Sequence, residues 1–123
     1  MSRPPIFLNL LKIQLPVAAL SSILHRLSAV GIFFLFLPFI LILVLALNSE
    51  DGFNKATFFL DLFLVKTFLS LLLIGLIYHF MSGIRHLIMD FGYWSTLRSG
   101  KYSAIGTIFL SILFSLILII QIW

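Results

Sequence analysis

Apolar residues fill long runs along this chain, and charged clusters separate one run from the next. The first run, 27–49, carries no charge and contains Gly31 and Pro38, both tolerated in a helix whose backbone is re-satisfied by neighbours within a membrane. Its helix is expected to begin earlier, near Pro16. A second run covers 56–82 and holds Asp61, Lys66 and His79, with a strictly uncharged part from 67 to 84. The third, 102–123, has no formal charge and ends in Trp123, an aromatic residue suited to a membrane interface. About 20 residues at about 1.5 Å each cross about 30 Å of hydrocarbon. The pattern therefore predicts an all-α integral membrane protein with three transmembrane helices at roughly 22–48, 57–83 and 102–123. With no internal repeat or low-complexity linker, the chain reads as a single membrane-anchor domain, 1–123.

Composition strengthens this reading. Of the 123 residues 62% are hydrophobic and 10% charged, with 14 Phe, too much apolar surface for one small core to hide from water. The absence of Cys excludes disulfides, iron–sulfur ligation, covalent c-type haem attachment and thiol catalysis within the chain. A net charge of +4 raises the question of nucleic acid, but Lys and Arg are scattered singly, so the expectation is no nucleic-acid partner. They read instead as topology signals. Arg3, Lys12 and Arg26 lie before or at the first span, and Arg85, Arg98 and Lys101 between the second and third, against Lys55 and Lys66 in and near the first loop. The positive-inside rule then puts the N-terminus inside and the C-terminus outside, with the Glu50–Asp51–Gly52 loop external. The first apolar run is too long for the core of a cleaved signal peptide, and no Arg/Ser-rich amphipathic leader is evident.

Ionisable residues deep in a membrane are costly and are candidates for function. His79 lies six residues before Arg85, about 9 Å deeper along a helix. A neutral imidazole there can ligate haem iron through one nitrogen while the other takes a hydrogen-bond partner; the plainer alternative is a hydrogen bond to a neighbouring helix. Ser22, His25 and Arg26 share one helical face at the inner mouth of the first span. A guanidinium and a hydroxyl at the edge of an apolar slot suit a small carbonyl ligand such as a quinone. Arg26 can equally hold a haem propionate or a lipid phosphate, or simply snorkel to the headgroups. His86 and Asp90, one turn apart, are expected to form a solvated or interfacial hydrogen-bonded pair. Asp61 and Lys66 are placed near the outer end of the second span, Lys66 reaching headgroups and Asp61 a neighbouring helix or water. Gly75, Ser82 and Gly83 permit close helix approach or room for a flat macrocycle.

Two stretches resemble the signatures of the cytochrome b membrane-anchor subunits of succinate dehydrogenase. Ser21-Ser22-Ile23-Leu24-His25-Arg26-Leu27-Ser28 is similar to S-I-x-H-R-x-[ST]-G, and His79-Phe80-Met81-Ser82-Gly83-Ile84-Arg85-His86-Leu87-Ile88-Met89-Asp90 to H-x-x-x-G-I-R-H-L-x-x-D. Arg3-Pro4 fits the usual opening of that family, and the three-span layout matches over essentially the whole chain. Ala29 departs from the pattern, standing where the family commonly has Gly, but it removes no donor or ligand.

The resemblance implies that His79 is the axial ligand of haem b supplied by this chain, with the second axial histidine supplied by the smaller membrane anchor subunit. It implies that Ser22 and Arg26 line the ubiquinone site and that His25 and Arg26 lie near the haem propionates. The expected protein is a membrane subunit of succinate:quinone oxidoreductase, bundled with the smaller anchor and bound to flavoprotein and iron–sulfur subunits. No succinate-oxidising site is expected in the chain itself. A bacterial inner membrane is the expected location, with the mitochondrial inner membrane as alternative. Two other classes stay open on the residues alone. Asp61, Lys66 and His79 along one span suggest a small proton-coupled or cationic-drug transporter subunit, and polar residues that only fix helix packing suggest a haem-free scaffold.

Overall fold

The computed structural model describes residues 14–123; Arg3, Pro4 and Lys12, used above for topology and resemblance, lie outside them. Four helices follow in order: α1 Val17–Asn48, α2 Glu50–Asp61, α3 Phe63–Asp90 and α4 Leu97–Ile122. Among the described residues there is no strand. In hydrocarbon every backbone N–H and C=O must be satisfied inside its own segment, and helices do that. The apolar helices α1, α3 and α4, of 32, 28 and 26 residues, are each long enough to cross a membrane, and with them the expected all-helical membrane fold is present.

What lies inside this bundle is small and polar. On α4 the buried positions are Gly100, Ala104, Thr107, Ser111 and Ser115, one stripe at helical spacing. Such residues let helix backbones approach closely where lipid offers no hydrophobic drive for association. Among their hydroxyls, that of Ser111 is satisfied within the helix, donating to the Thr107 carbonyl at 2.7 Å. The large side chains point outward instead, Phe33, Phe34, Leu47, Phe63 and Phe80 among them, as the composition required.

The turns are built from local chemistry. Ser49 caps α2 by accepting from the Gly52 N–H at 3.0 Å, and Glu50 and Asp51 place negative charge in the first turn, opposite the helix dipole. Gly52 is buried where α2 folds back on α1, and a Cβ there would run into the Leu45 carbonyl oxygen. Gly52→Val is therefore expected to lower the stability of the purified protein by about 1–3 kcal/mol, the usual range for overpacking. Thermal unfolding in detergent checks this, and an unchanged melting temperature would refute the close approach. After α3, Gly92 takes φ +89° and Trp94 φ +56°, and Thr96 caps α4 by accepting from the Ser99 N–H at 3.1 Å. Gly92 tolerates that left-handed backbone freely, whereas Trp94 stores a local strain of order 1 kcal/mol.

Two expectations need correcting. The second apolar run is not one helix: it breaks at Leu62, whose ψ of 129° is extended, so Asp61 ends α2 and Lys66 sits in the first turn of α3. Those two residues then pair with each other at 3.2 Å across the break, rather than reaching separately for headgroups and a neighbouring helix. Arg85, counted above only as a topology signal, is 3% exposed, because α3 continues past it and packs it against α4.

Candidate functional site

Residues four and three apart on α1 turn one stripe toward α3: Ser21, His25, Ser28 and Ile32. Opposite them on α3 stand Tyr78, His79 and Gly75. The Tyr78 hydroxyl donates to the Ser21 carbonyl at 2.9 Å and lies 3.1 Å from the Ser21 hydroxyl, in a contact that leaves Ser21 fully buried. Eleven residues on along α1 and three back along α3, a Cβ on Gly75 would meet the Ile32 side chain at 3.5 Å. These contacts fix the register in which His79 meets α1.

That register decides the chemistry of His79. Its Nδ1 is 3.3 Å from the His25 carbonyl oxygen and 3.2 Å from the Ser28 hydroxyl. A carbonyl can only accept, and the Ser28 hydroxyl already spends its proton on the same His25 carbonyl at 2.7 Å. Both neighbours therefore call for a proton on Nδ1, which leaves the lone pair on Nε2, the arrangement a ligating histidine requires. His79 also lines a cleft of about 700 Å³ whose other walls come from α1, including Ala29, Ile32, Phe33, Phe36, Leu37 and Ile40. The cleft is almost wholly apolar along one side of α1, with the imidazole as its polar feature.

Three imidazoles stack beside it. The rings of His79 and His25 lie 4.2 Å apart at 16°, and those of His25 and His86 4.9 Å apart at 21°. His86 donates from Nδ1 to the Ser82 carbonyl of its own helix at 2.8 Å. The expected His86–Asp90 pair is thereby corrected: among the described residues no bond joins them, because the Ser82 carbonyl one turn back takes the proton first. Two polar atoms here, His25 Nε2 and Ser82 Oγ, are buried without a hydrogen-bond partner. Buried polar atoms are nearly always satisfied, so these two are exceptions within the bundle. Gly83 faces His25, where a Cβ would sit 3.7 Å from Nε2, an ordinary contact distance.

The structure places the other sequence candidates separately. Ser22 is half-buried and Arg26 exposed, on the stripe of α1 that leads through Ala29 and Phe33 into the cleft. Neither residue lines the cleft itself. Asp61, Lys66 and His79 do not line one path: the Asp61–Lys66 pair lies thirteen residues of α3 from His79, about 20 Å. At that far end Lys66 also lies 5.9 Å from the Trp123 ring, whose Nε1 donates to Ser70 at 3.1 Å. Sequence reasoning gave no role to Ser28, which falls within the first quoted motif and shares a helical face with His25, or to Tyr78, which directly precedes the second.

Residues 1–118 match the family model described as succinate dehydrogenase/fumarate reductase transmembrane subunit. The chain is 36% identical over 123 residues to the succinate dehydrogenase cytochrome b560 subunit of the alga Chondrus crispus, covering 98% of this chain and 94% of that protein. It is 28% identical over 124 residues to the succinate dehydrogenase cytochrome b556 subunit of Coxiella burnetii, covering 99% and 98%.

Proposed function

Because the chain belongs to the succinate dehydrogenase/fumarate reductase transmembrane subunit family, we propose that it is the haem b anchor of a succinate:quinone oxidoreductase, with His79 as its axial ligand. The observation that carries this reading is the commitment of Nδ1 to His25 and Ser28, which leaves Nε2 free beside an apolar cleft large enough for a flat macrocycle. The residues fit the group on two further counts: the cleft is open, so the smaller anchor subunit would close it and bring a second histidine, and the unpartnered His25 Nε2 belongs to the ring stacked on His79. Haem bound there supplies one-electron storage at its iron. The chain holds it in place, sets the strength of the His79 donor and keeps water from the cleft with Phe33, Phe36 and Leu37.

In this proposal the whole chain acts as one membrane-anchor unit. Its basic end, carrying Arg26, Arg98 and Lys101, faces inside, toward the iron–sulfur subunit that delivers electrons from the flavoprotein. Arg26 and Ser22 bind ubiquinone from the open side of α1, their N–H and O–H groups donating to a carbonyl oxygen as it gains charge. Arg26 with His25 serves the haem propionates at the same end. The membrane is a bacterial inner membrane in this reading, and the red algal relative keeps a mitochondrial inner membrane as its alternative.

The test uses the assembled complex. Arg26→Ala and Ser22→Ala are expected to leave the b-type spectrum in place and to lower quinone reduction about tenfold to a hundredfold, the loss of one hydrogen bond to a developing charge. Succinate oxidation with a soluble artificial acceptor should be unchanged. Wild-type quinone rates in both variants would remove these two residues from the site.

A further inference from the structure

Resting on the reading of His79 as the haem ligand, we propose that Ser28 is a positioning residue for that ligand: its hydroxyl oxygen accepts the Nδ1–H of His79 and so sets the tautomer, ring orientation and donor strength of the imidazole. Three distances carry the inference. Ser28 donates to the His25 carbonyl at 2.7 Å, which orients its lone pairs; His79 Nδ1 lies 3.2 Å from that oxygen; and the same Nδ1 lies 3.3 Å from the His25 carbonyl. The proton is thus shared between two acceptors, one of them a side chain that a substitution can remove.

The arrangement constrains the ring as well as its proton. On one face His79 packs against the His25 ring at 4.2 Å and 16°, which restricts rotation about its Cβ–Cγ bond. An acceptor at Nδ1 makes the imidazole a stronger donor through Nε2 and favours the more highly charged ferric state of a bound iron. Ser28 is one turn beyond His25, on the stripe of α1 that faces α3, and it reaches across to His79 without lining the cleft itself. It therefore acts through His79 and not by touching haem.

The experiment compares Ser28→Thr with Ser28→Val in the assembled complex, two side chains of nearly the same shape that differ in the hydroxyl. Ser28→Thr is expected to keep the wild-type midpoint potential and the wild-type electron paramagnetic resonance of the ferric low-spin haem. Ser28→Val is expected to raise the potential, about 59 mV for each tenfold loss in the ferric-over-ferrous binding ratio, and to shift the resonance as the ring reorients. Equal potentials and spectra in Thr and Val variants would overturn the role of Ser28. The underlying reading fails separately: a His79→Ala complex that keeps an unchanged haem spectrum would show that His79 is not the ligand, whatever the Ser28 variants do.

Discussion

Replacing His79 by alanine is expected to eliminate the low-spin b-type spectrum of the purified complex, while the helices stay packed. Of the three histidines, His79 alone lines the cleft, so its removal takes away the one imidazole of this chain at its wall. His25 and His86 offer no ready substitute. The His25 ring lies stacked between its neighbours with Nε2 buried, and His86 is held to the Ser82 carbonyl at 2.8 Å on the far side of that stack. A ligand lost from iron costs far more than the roughly tenfold to hundredfold that removal of a supporting hydrogen bond costs. The α1–α3 contact should survive, because the Tyr78–Ser21 bonds and the meeting of Gly75 with Ile32 do not involve the imidazole. The reduced-minus-oxidised spectrum is the measurement, read alongside retention of the complex on gel filtration. An intact complex with an undiminished haem band would discard the ligand role, and an intact colourless complex is the expected outcome.

The three long helices were legible because a membrane leaves the chain few options. Runs such as 102–123 have no charge, and an uncharged run of that length has to be helical where no water can satisfy its backbone. His79 stood out as a candidate for a related reason, since an ionisable group at that depth is expensive to keep. The break at Leu62 was not: Phe58 to Leu64 is apolar apart from Asp61 and contains no Gly or Pro, and the break depends on α2 folding back on α1 at Gly52. The tautomer of His79 was out of reach as well. It depends on the register between α1 and α3, which brings the His25 carbonyl and Ser28 hydroxyl to one nitrogen, and spacing within a single helix does not encode that. Arg85 was read only as a topology signal, because its burial depends on a contact between α3 and α4. What a sequence window could not display is that small residues on α4 open a site for a guanidinium between two helices.

That site gives the second large effect. Arg85→Ala is expected to destabilise the α3–α4 pair by about 3 kcal/mol, roughly two hydrogen bonds made by a charged donor. The guanidinium is 3% exposed and stays charged in any protein environment. Its Nε donates to the Ser103 hydroxyl at 3.0 Å and an Nη to the Gly100 carbonyl at 3.2 Å, both in the first two turns of α4. Ser103 in turn donates to the same Gly100 carbonyl at 3.0 Å, so the three groups form one closed contact between the helices. Among the described residues no carboxylate pairs with the charge, and these bonds are what compensate its burial. Arg85→Lys should recover only part of the loss, because a point-like ammonium cannot reproduce a planar fork aimed at two oxygens. Hydrogen exchange over 91–104 in the assembled complex reads the effect locally: faster exchange there in Arg85→Ala, with the haem spectrum retained because His79 keeps its own partners on α1. Unchanged exchange in that segment would mean that the small-residue stripe of α4 holds the pair together without the guanidinium, and loss of haem with unchanged exchange would move Arg85 from helix packing to the haem site itself.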